Sequence, residues 1–378
     1  MPRAIVNDIG FMRDSNRVPM VNKINYWQRH GWDITILCTQ AAMETYGPLL
    51  RDVKYVVVPC VSNRSNRVMM LYEYAKRNLI AASKVLRTKS QYDIVYSISA
   101  TFDLILLPYV MRKLNRDLRW CVVFDNRVYI DEPGNLVMRR VIYVLFLMSM
   151  WMIKSADRIF TVSDDLRHFL EKGRCKRERI RVTGNGVEGE VILAAEEECD
   201  RKYDGIYVGR IDERKGIFQL IDMLSIVKEE YPGYTLGIIG VGEERVERKV
   251  LQYAERMNVG GNITLLGFRQ GMEKYSIIKG ARMFITLSIY ESYGLALLEA
   301  VCCGKVSIAY DLPAYRQIYM NGEVIFVEKN SYRAAARHVI ELMRGGATEN
   351  ERGRLLLGRY SWTNIAQMER EEFDRLVE

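Results

Sequence analysis

Short apolar runs and segments of helical periodicity alternate along the whole chain. In the first half, residues 3–7, 33–38, 53–58, 94–98, 120–124, 158–162 and 179–182 read as strands, and 21–29, 64–89, 102–113 and 141–153 as helices. His30-Gly31 stops the first helix, and Ser163-Asp164-Asp165 forms a helix N-cap directly after a strand. The second half repeats the alternation, with strands near 205–208, 234–240, 263–268, 283–287, 306–309 and 324–327. Strands separated by helices imply parallel sheets covered on both faces, an α/β class. Residues 188–202 carry a run of glutamates and no strand pattern, so they read as a linker. The expected organisation is an N-terminal domain over 1–187, a linker over 188–203, a C-terminal domain over 204–358 and a terminal helical segment over 359–378. A chain of 378 residues is natural for two cores.

Two helical segments stand apart by composition. Residues 141–153, V-I-Y-V-L-F-L-M-S-M-W-M-I, are the most apolar stretch, with Arg139-Arg140 before them and Lys154 after. A helix of that length spans roughly 20 Å, short of the ~30 Å hydrocarbon core, so it is expected not to cross a membrane. A buried helix and a bilayer-dipping or dimer-forming helix both remain open. Residues 64–89 set Arg64, Arg67, Lys76, Arg77, Lys84, Arg87 and Lys89 among Met69, Met70, Leu71, Tyr74, Leu79, Ile80 and Val85. That pattern suits a helix on an anionic bilayer, or a packed helix with a solvated basic face.

Charge changes the picture next. Residues 1–185 hold 30 Lys and Arg against 17 Asp and Glu, and the remainder 25 against 30. A basic first half points to an anionic partner: a membrane surface, a phosphorylated acceptor or nucleic acid. The seven cysteines (38, 60, 121, 175, 199, 302 and 303) include no C-x-x-C pair and read as reduced thiols, as in a cytoplasmic protein. The three histidines, His30, His168 and His338, have no metal-ligand pattern around them. The N-terminal segment reads as a first strand rather than a signal peptide.

The chemistry concentrates in residues 286–300, T-L-S-I-Y-E-S-Y-G-L-A-L-L-E-A. A strand over 281–287 leads through a short loop to Gly294, which opens an apolar helix running to about 303. Backbone N–H groups of Tyr293, Gly294 and Leu295 at that helix N-terminus suit a diphosphate, which Gly294 allows to come close. Glu299, further into the helix, is placed to accept both hydroxyls of a ribose, and Glu291, ahead of it, to face a sugar. An ordinary strand–loop–helix unit with solvated glutamates would carry the same two residues. Upstream, G-R-I-D-E-R-K-G over 209–216 sets Arg210 and Lys215 at a second strand-to-helix turn, where two cations can reach a diphosphate.

Together these residues resemble the donor site of the family 4 glycosyltransferases, a retaining group of GT-B fold. The match comprises Asn185-Gly186-Val187, Gly209-Arg210, Lys215-Gly216, Gly267, Ser288, Glu291-Ser292-Tyr293-Gly294-Leu295, Glu299-Ala300 and Gly304. It is specific in the second half and loose in the first, where Ala156-Asp157 and Val162-Ser163 fit a further signature. The resemblance implies two Rossmann-like domains facing each other across a cleft, with the tail from Tyr360-Ser361-Trp362 crossing back to the first. Arg210, Lys215 and Glu291 would be catalytic, and Gly209, Phe268, Ser292, Tyr293, Gly294, Leu295 and Glu299 would bind the donor. The Gly240-Val241-Gly242-Glu243 turn would lie near the nucleotide. Two departures affect the first domain. The family's paired glycines in the first loop are reduced to Gly10, with Arg13, Ser15, Asn16 and Arg17 nearby. A histidine common after the fifth strand is replaced by Asp125-Asn126-Arg127, so Asp125 and Arg127 are acceptor or sugar contacts by position, or an ion pair of the scaffold.

The reading that follows is a hexosyltransferase taking a UDP- or GDP-sugar, with no cofactor and no metal, acting on a glycan or lipid-linked acceptor. Its expected location is the cytoplasm, peripheral at the inner face of the plasma membrane. A sugar-nucleotide epimerase of the same shape is the alternative, and it needs acid/base side chains, often histidine. A nucleic-acid-binding protein is the third reading. The basic residues lack the interleaved aromatic platform of single-strand readers, so no nucleic-acid partner is expected.

Overall fold

The computed structural model describes residues 1–10, 18–59, 67–88, 91–128, 136–197, 203–346 and 349–378. In chain order the first elements are β1 (Arg3–Asp8), α1 (Val18–Arg29), β2 (Asp33–Thr39), α2 (Gln40–Tyr46), β3 (Lys54–Val58), α3 (Arg67–Val85), β4 (Ile94–Ser97) and α4 (Phe102–Leu114). They continue with β5 (Arg119–Phe124), α5 (Leu136–Met152), β6 (Arg158–Thr161), α6 (Asp164–Lys172) and β7 (Ile180–Val182). After α7 (Gly189–Ala194) come β8 (Gly205–Val208), α8 (Ile217–Glu230), β9 (Leu236–Ile239), α9 (Glu244–Arg256), β10 (Ile263–Gly267), α10 (Gly271–Gly280) and β11 (Met283–Thr286). The chain closes with α11 (Leu295–Cys302), β12 (Val306–Tyr310), β13 (Ile325–Val327), α12 (Tyr332–Gly345), α13 (Glu351–Arg354), α14 (Leu356–Arg359) and α15 (Trp362–Val377).

The described residues divide into two units: Met1–Gly184 with Trp362–Glu378, and Asn185–Ser361. The first holds a parallel sheet in the order β3-β2-β1-β4-β5-β6-β7, and the second one in the order β10-β9-β8-β11-β12-β13. In each, the order reverses beside the first strand of the unit, at β1/β4 and at β8/β11. Loops leave the carboxyl ends of strands in opposite directions at such a point, opening a crevice where ligands bind. The central strands β4, β9 and β11 are buried throughout, as a sheet covered on both faces requires.

In the first unit, Phe373 of α15 packs edge-on against Trp27, Trp32 and Tyr96, with ring centroids 5.0, 5.5 and 5.8 Å away. The Trp27 indole N–H donates to Ala366 O (3.0 Å), and that of Trp32 to Asp374 Oδ1 (3.1 Å). Beneath them Lys23 pairs with the fully buried Glu369 at 2.7 Å, and the Tyr96 hydroxyl donates to the other carboxylate oxygen. Burial pushes the Glu369 carboxyl up, and the Lys23 ammonium opposes that shift.

Three expectations from the pattern are corrected. The linker region contains α7, which is fixed to the second unit by Lys279 Nζ donating to Ile192 O (2.5 Å) and Ala195 O (2.7 Å). The apolar helix is longer than residues 141–153. With its closing 3-10 turn it runs from Leu136 to Ser155, 20 residues, long and apolar enough to cross a membrane by length and composition, and only 17% of its most apolar window is buried. The basic face assigned to 64–89 is broken in α3. Arg77 is buried, ion-paired with Asp103 (3.8 Å) and donating to Ile9 O, while Lys76 pairs with Glu73. Arg64 and Lys89 lie outside the described residues, as do Arg13, Ser15, Asn16 and Arg17 of the first loop.

Candidate active site

The constellation of 209–216 and 286–300 forms at the β8/β11 switch point of the second unit. After β8 the chain turns through Arg210 and Ile211 into a short 3-10 turn, Glu213–Lys215, capped by the Asp212 carboxylate accepting from Arg214 N (2.9 Å). Gly216 ends that turn at φ 71°, and a Cβ there would stand 1.8 Å from Leu287 O. Only a residue with no side chain lets the turn press against the end of β11. Ile289 N donates to Arg214 O (3.0 Å), tying the loop after β8 to the loop after β11. Across this tie Lys215 Nζ meets Glu291 Oε1 at 2.6 Å.

Gly294, at φ 84°, is the N-cap of α11, and no side chain caps that helix. Its position is fixed from below by Tyr315, whose ring carbon would lie 2.2 Å from a Cβ on Gly294. The first-turn amides of α11 therefore keep their hydrogen-bonding capacity and their share of the helix dipole for an anion. Tyr293 offers only its backbone here: its side chain is buried and its hydroxyl donates to Asn185 O (3.0 Å). Ser292 and Leu295 are partly exposed beside it.

Glu299 sits one turn further in and is nearly buried. Its Oε1 accepts from Lys274 Nζ (2.7 Å) and from the Tyr275 hydroxyl (3.1 Å), and among the described residues Oε2 has no partner. The Tyr275 hydroxyl also lies 3.3 Å from Glu188 Oε2. Burial, then the charges of Glu299 and Glu188, pushes the Tyr275 hydroxyl far up, so it stays a proton donor. Burial pushes the Glu188 carboxyl up as well, opposed by Lys274. Lys274, Tyr275 and Glu188 are the supports that sequence reasoning missed. They lie 24 to 87 positions from their partners, and no local spacing signals them.

Arg210 is exposed and forms no ion pair among the described residues, whereas Lys215 is committed to Glu291. The Arg210 carbonyl accepts from the Tyr207 hydroxyl (3.0 Å) beside Gly209, which fixes the backbone and leaves the guanidinium to swing. Phe268 follows β10 with its ring exposed. All these groups rise from the carboxyl ends of β8, β10 and β11.

Gly10, Asp125 and Arg127 belong to the first unit. Gly10 is buried against Leu104 at the end of β1. Asp125, after β5, accepts from Ser99 Oγ (3.3 Å), and burial pushes its carboxyl up. Arg127 does not pair with it: the guanidinium engages Asp165 and stacks 4.7 Å from the Phe169 ring centroid. Arg127 is thus held against α6, and Asp125 lies partly buried just after β5. Among the described residues no three His, Cys, Asp or Glu side chains converge as a metal site would require. The five described cysteines, Cys38, Cys121, Cys175, Cys302 and Cys303, are free and buried.

Comparison with known proteins gives this geometry its family. Residues 20–190 match the model described as Glycosyltransferase Family 4, and residues 191–354 that described as glycosyl transferases group 1. An uncharacterized glycosyltransferase of Methanocaldococcus jannaschii is 24% identical over 226 residues, 59% of this chain and 60% of that protein. The phosphatidyl-myo-inositol mannosyltransferase of Mycobacterium leprae is 30% identical over 170 residues, 43% of each. The chain thus spans about half the length of the curated relatives it matches. Sucrose-phosphate synthase from Thermosynechococcus elongatus superposes with a TM-score of 0.77 at 16% identity, over 100% of this chain and 99% of that one. Anabaena HepE, solved with UDP and glucose, gives 0.76 at 13% identity, over 99% and 100%. The two family models jointly take in residues 20–354, and with a fold shared over the full length the chain belongs to the family 4 glycosyltransferases of GT-B fold.

Proposed function

We propose that the protein moves a sugar from a nucleoside diphosphate-sugar to a glycan or lipid-linked acceptor, with retention at the anomeric carbon and without a metal. The observation that carries this reading is the Lys215–Glu291 pair beside the uncapped N-terminus of α11. In this reading the donor diphosphate sits on the α11 amides. Lys215 exchanges its carboxylate for phosphate, which releases Glu291 to accept from sugar hydroxyls. As the glycosidic bond breaks, negative charge grows on the leaving diphosphate, where Arg210, Lys215 and the helix terminus stabilise it. Glu299, oriented by Lys274 and Tyr275, offers Oε2 to the ribose, and Phe268 offers a ring face to the base.

UDP is favoured over GDP by the UDP and UDP-glucose complexes of Anabaena HepE. A lipid-linked acceptor is in keeping with the mannosyltransferase relative, whose name specifies phosphatidyl-myo-inositol. Epimerisation is disfavoured by where the histidines sit: His30, just past α1, bonds to Tyr26 O, His168 lies against Arg167 on α6, and His338 pairs with Glu341 on α12. Incubation with UDP-glucose in EDTA, followed by NMR, tests the reading. Slow release of UDP and α-configured glucose is expected; accumulation of an epimeric UDP-sugar would establish the isomerase instead.

A further inference from the structure

Helix α5 presents two different faces. One is docked onto the first unit: Ser149, Met150 and Met152 are buried, and Phe146 packs 6.5 Å from the Phe124 ring and 6.2 Å from that of Phe169. The other carries Val144, Leu147, Met148 and Trp151, all strongly exposed, on a single stripe that Arg140 joins one turn earlier. An apolar stripe of this length, rimmed by charge, marks an interaction surface. At its C-terminal end Arg179 Nη1 donates to Lys154 O (3.2 Å) and Ala156 O (3.1 Å). On either side of Arg179 in the chain, Arg177 and Arg181 line an open pocket of ≈ 560 Å³ with Arg158, Arg375, Ile180 and the carboxylates Glu178 and Glu372. Three of those guanidiniums share the Glu372 carboxylate, Arg158 at 2.9 Å, Arg181 at 3.8 Å and Arg375 at 2.5 Å.

We infer that α5 lies in the plane of an anionic lipid surface, its stripe in the outer acyl layer and the arginine pocket at headgroup level. Charge complementarity selects this occupant. Basic groups frame both ends of the stripe, Arg139 and Arg140 at one and Lys154 with the arginine pocket at the other. A second copy of the chain laid on the stripe would bring like charges together in either direction, whereas lipid phosphates neutralise them. The helix is long enough to span a bilayer, but its docked face holds it along the domain, so it lies in the interface. Trp151, tilted 5.6 Å from Tyr109, stands where tryptophan is favoured at a membrane boundary.

Tryptophan fluorescence tests this without any donor, so the outcome is separable from that of the glycosyl-transfer reading. Trp151 is 63% exposed, while Trp27, Trp32, Trp120 and Trp362 are exposed by 7% or less. Vesicles of phosphatidylcholine with phosphatidylglycerol, containing brominated acyl chains, should capture the protein and quench its emission at low salt. The quenched component should vanish in Trp151→Phe, which still binds. Leu147→Ser with Trp151→Ser, or Arg177→Ser with Arg181→Ser, should each weaken vesicle binding at least tenfold while circular dichroism stays unchanged. Absence of binding to any vesicle, wild-type binding in the Leu147→Ser/Trp151→Ser variant, or quenching that persists in Trp151→Phe would overturn the inference. So would a dimer in sedimentation that the same double variant dissolves, since the stripe would then belong to a second copy.

Discussion

Lys215 and Glu291 hold each other at 2.6 Å from two different loops, and their removal is not equivalent. Lys215→Met takes away a charged donor to the leaving group. Hydrogen bonds to charged groups contribute about 1.5–3 kcal/mol, so turnover should fall at least tenfold. Glu291→Gln removes the competitor for Lys215, so nucleotide affinity should hold or rise while turnover falls. Steady-state kinetics beside calorimetry separates the two, and a loss of affinity in Glu291→Gln would contradict the exchange. Glu291, Gly294 and Glu299 were legible in the sequence because they occupy one contiguous strand–loop–helix stretch. Lys274, Tyr275 and Glu188 were not, because only tertiary packing brings them to Glu299. The same limit applies to Arg127: its position after β5 left a sugar contact and a scaffold ion pair both open, and its partners Asp165 and Phe169 come from α6.

At the scale of elements, α15 and the turn at Gly216 are the points most sensitive to substitution. Lys23→Met leaves the Glu369 carboxylate buried without its cation, which should cost about 3–5 kcal/mol. The Glu369 carboxyl is already raised in the folded state, and the substitution raises it further. The folded form then holds a proton that the unfolded chain has lost, so stability falls as pH rises above the ordinary carboxylate range. Urea unfolding should accordingly show the smallest deficit near the acid end of the stable range; a deficit independent of pH would refute this. Gly216→Ala forces a side chain to within 1.8 Å of Leu287 O at a positive φ, and should cost about 1–3 kcal/mol while loosening the Lys215 turn. Urea unfolding reads that cost, and wild-type stability in Gly216→Ala would show that the turn can shift.

The strands and their parallel order followed from the alternation of patterns. Helix α2 did not, being seven residues entered directly from β2 through the Thr39 cap. The exposed face of α5 was equally hidden, since an all-apolar run has the same pattern whether protein or another medium covers it.

For the whole molecule, the proposed reading assigns Arg210, Lys215 and the α11 terminus at the β8/β11 switch point to the charge that a divalent ion would otherwise meet. Turnover is therefore expected to survive EDTA, and complete loss restored by Mg²⁺ would contradict that division of labour. The central claim is that the second unit grips a nucleoside diphosphate through α11 and Glu299. Calorimetric titration of UDP in EDTA tests it most directly, with wild type, Glu299→Ala and Asp125→Asn side by side. The account predicts one saturable site, weakened at least tenfold by Glu299→Ala and unchanged by Asp125→Asn. Wild-type affinity in Glu299→Ala, or no binding of UDP to the wild-type protein, would contradict it.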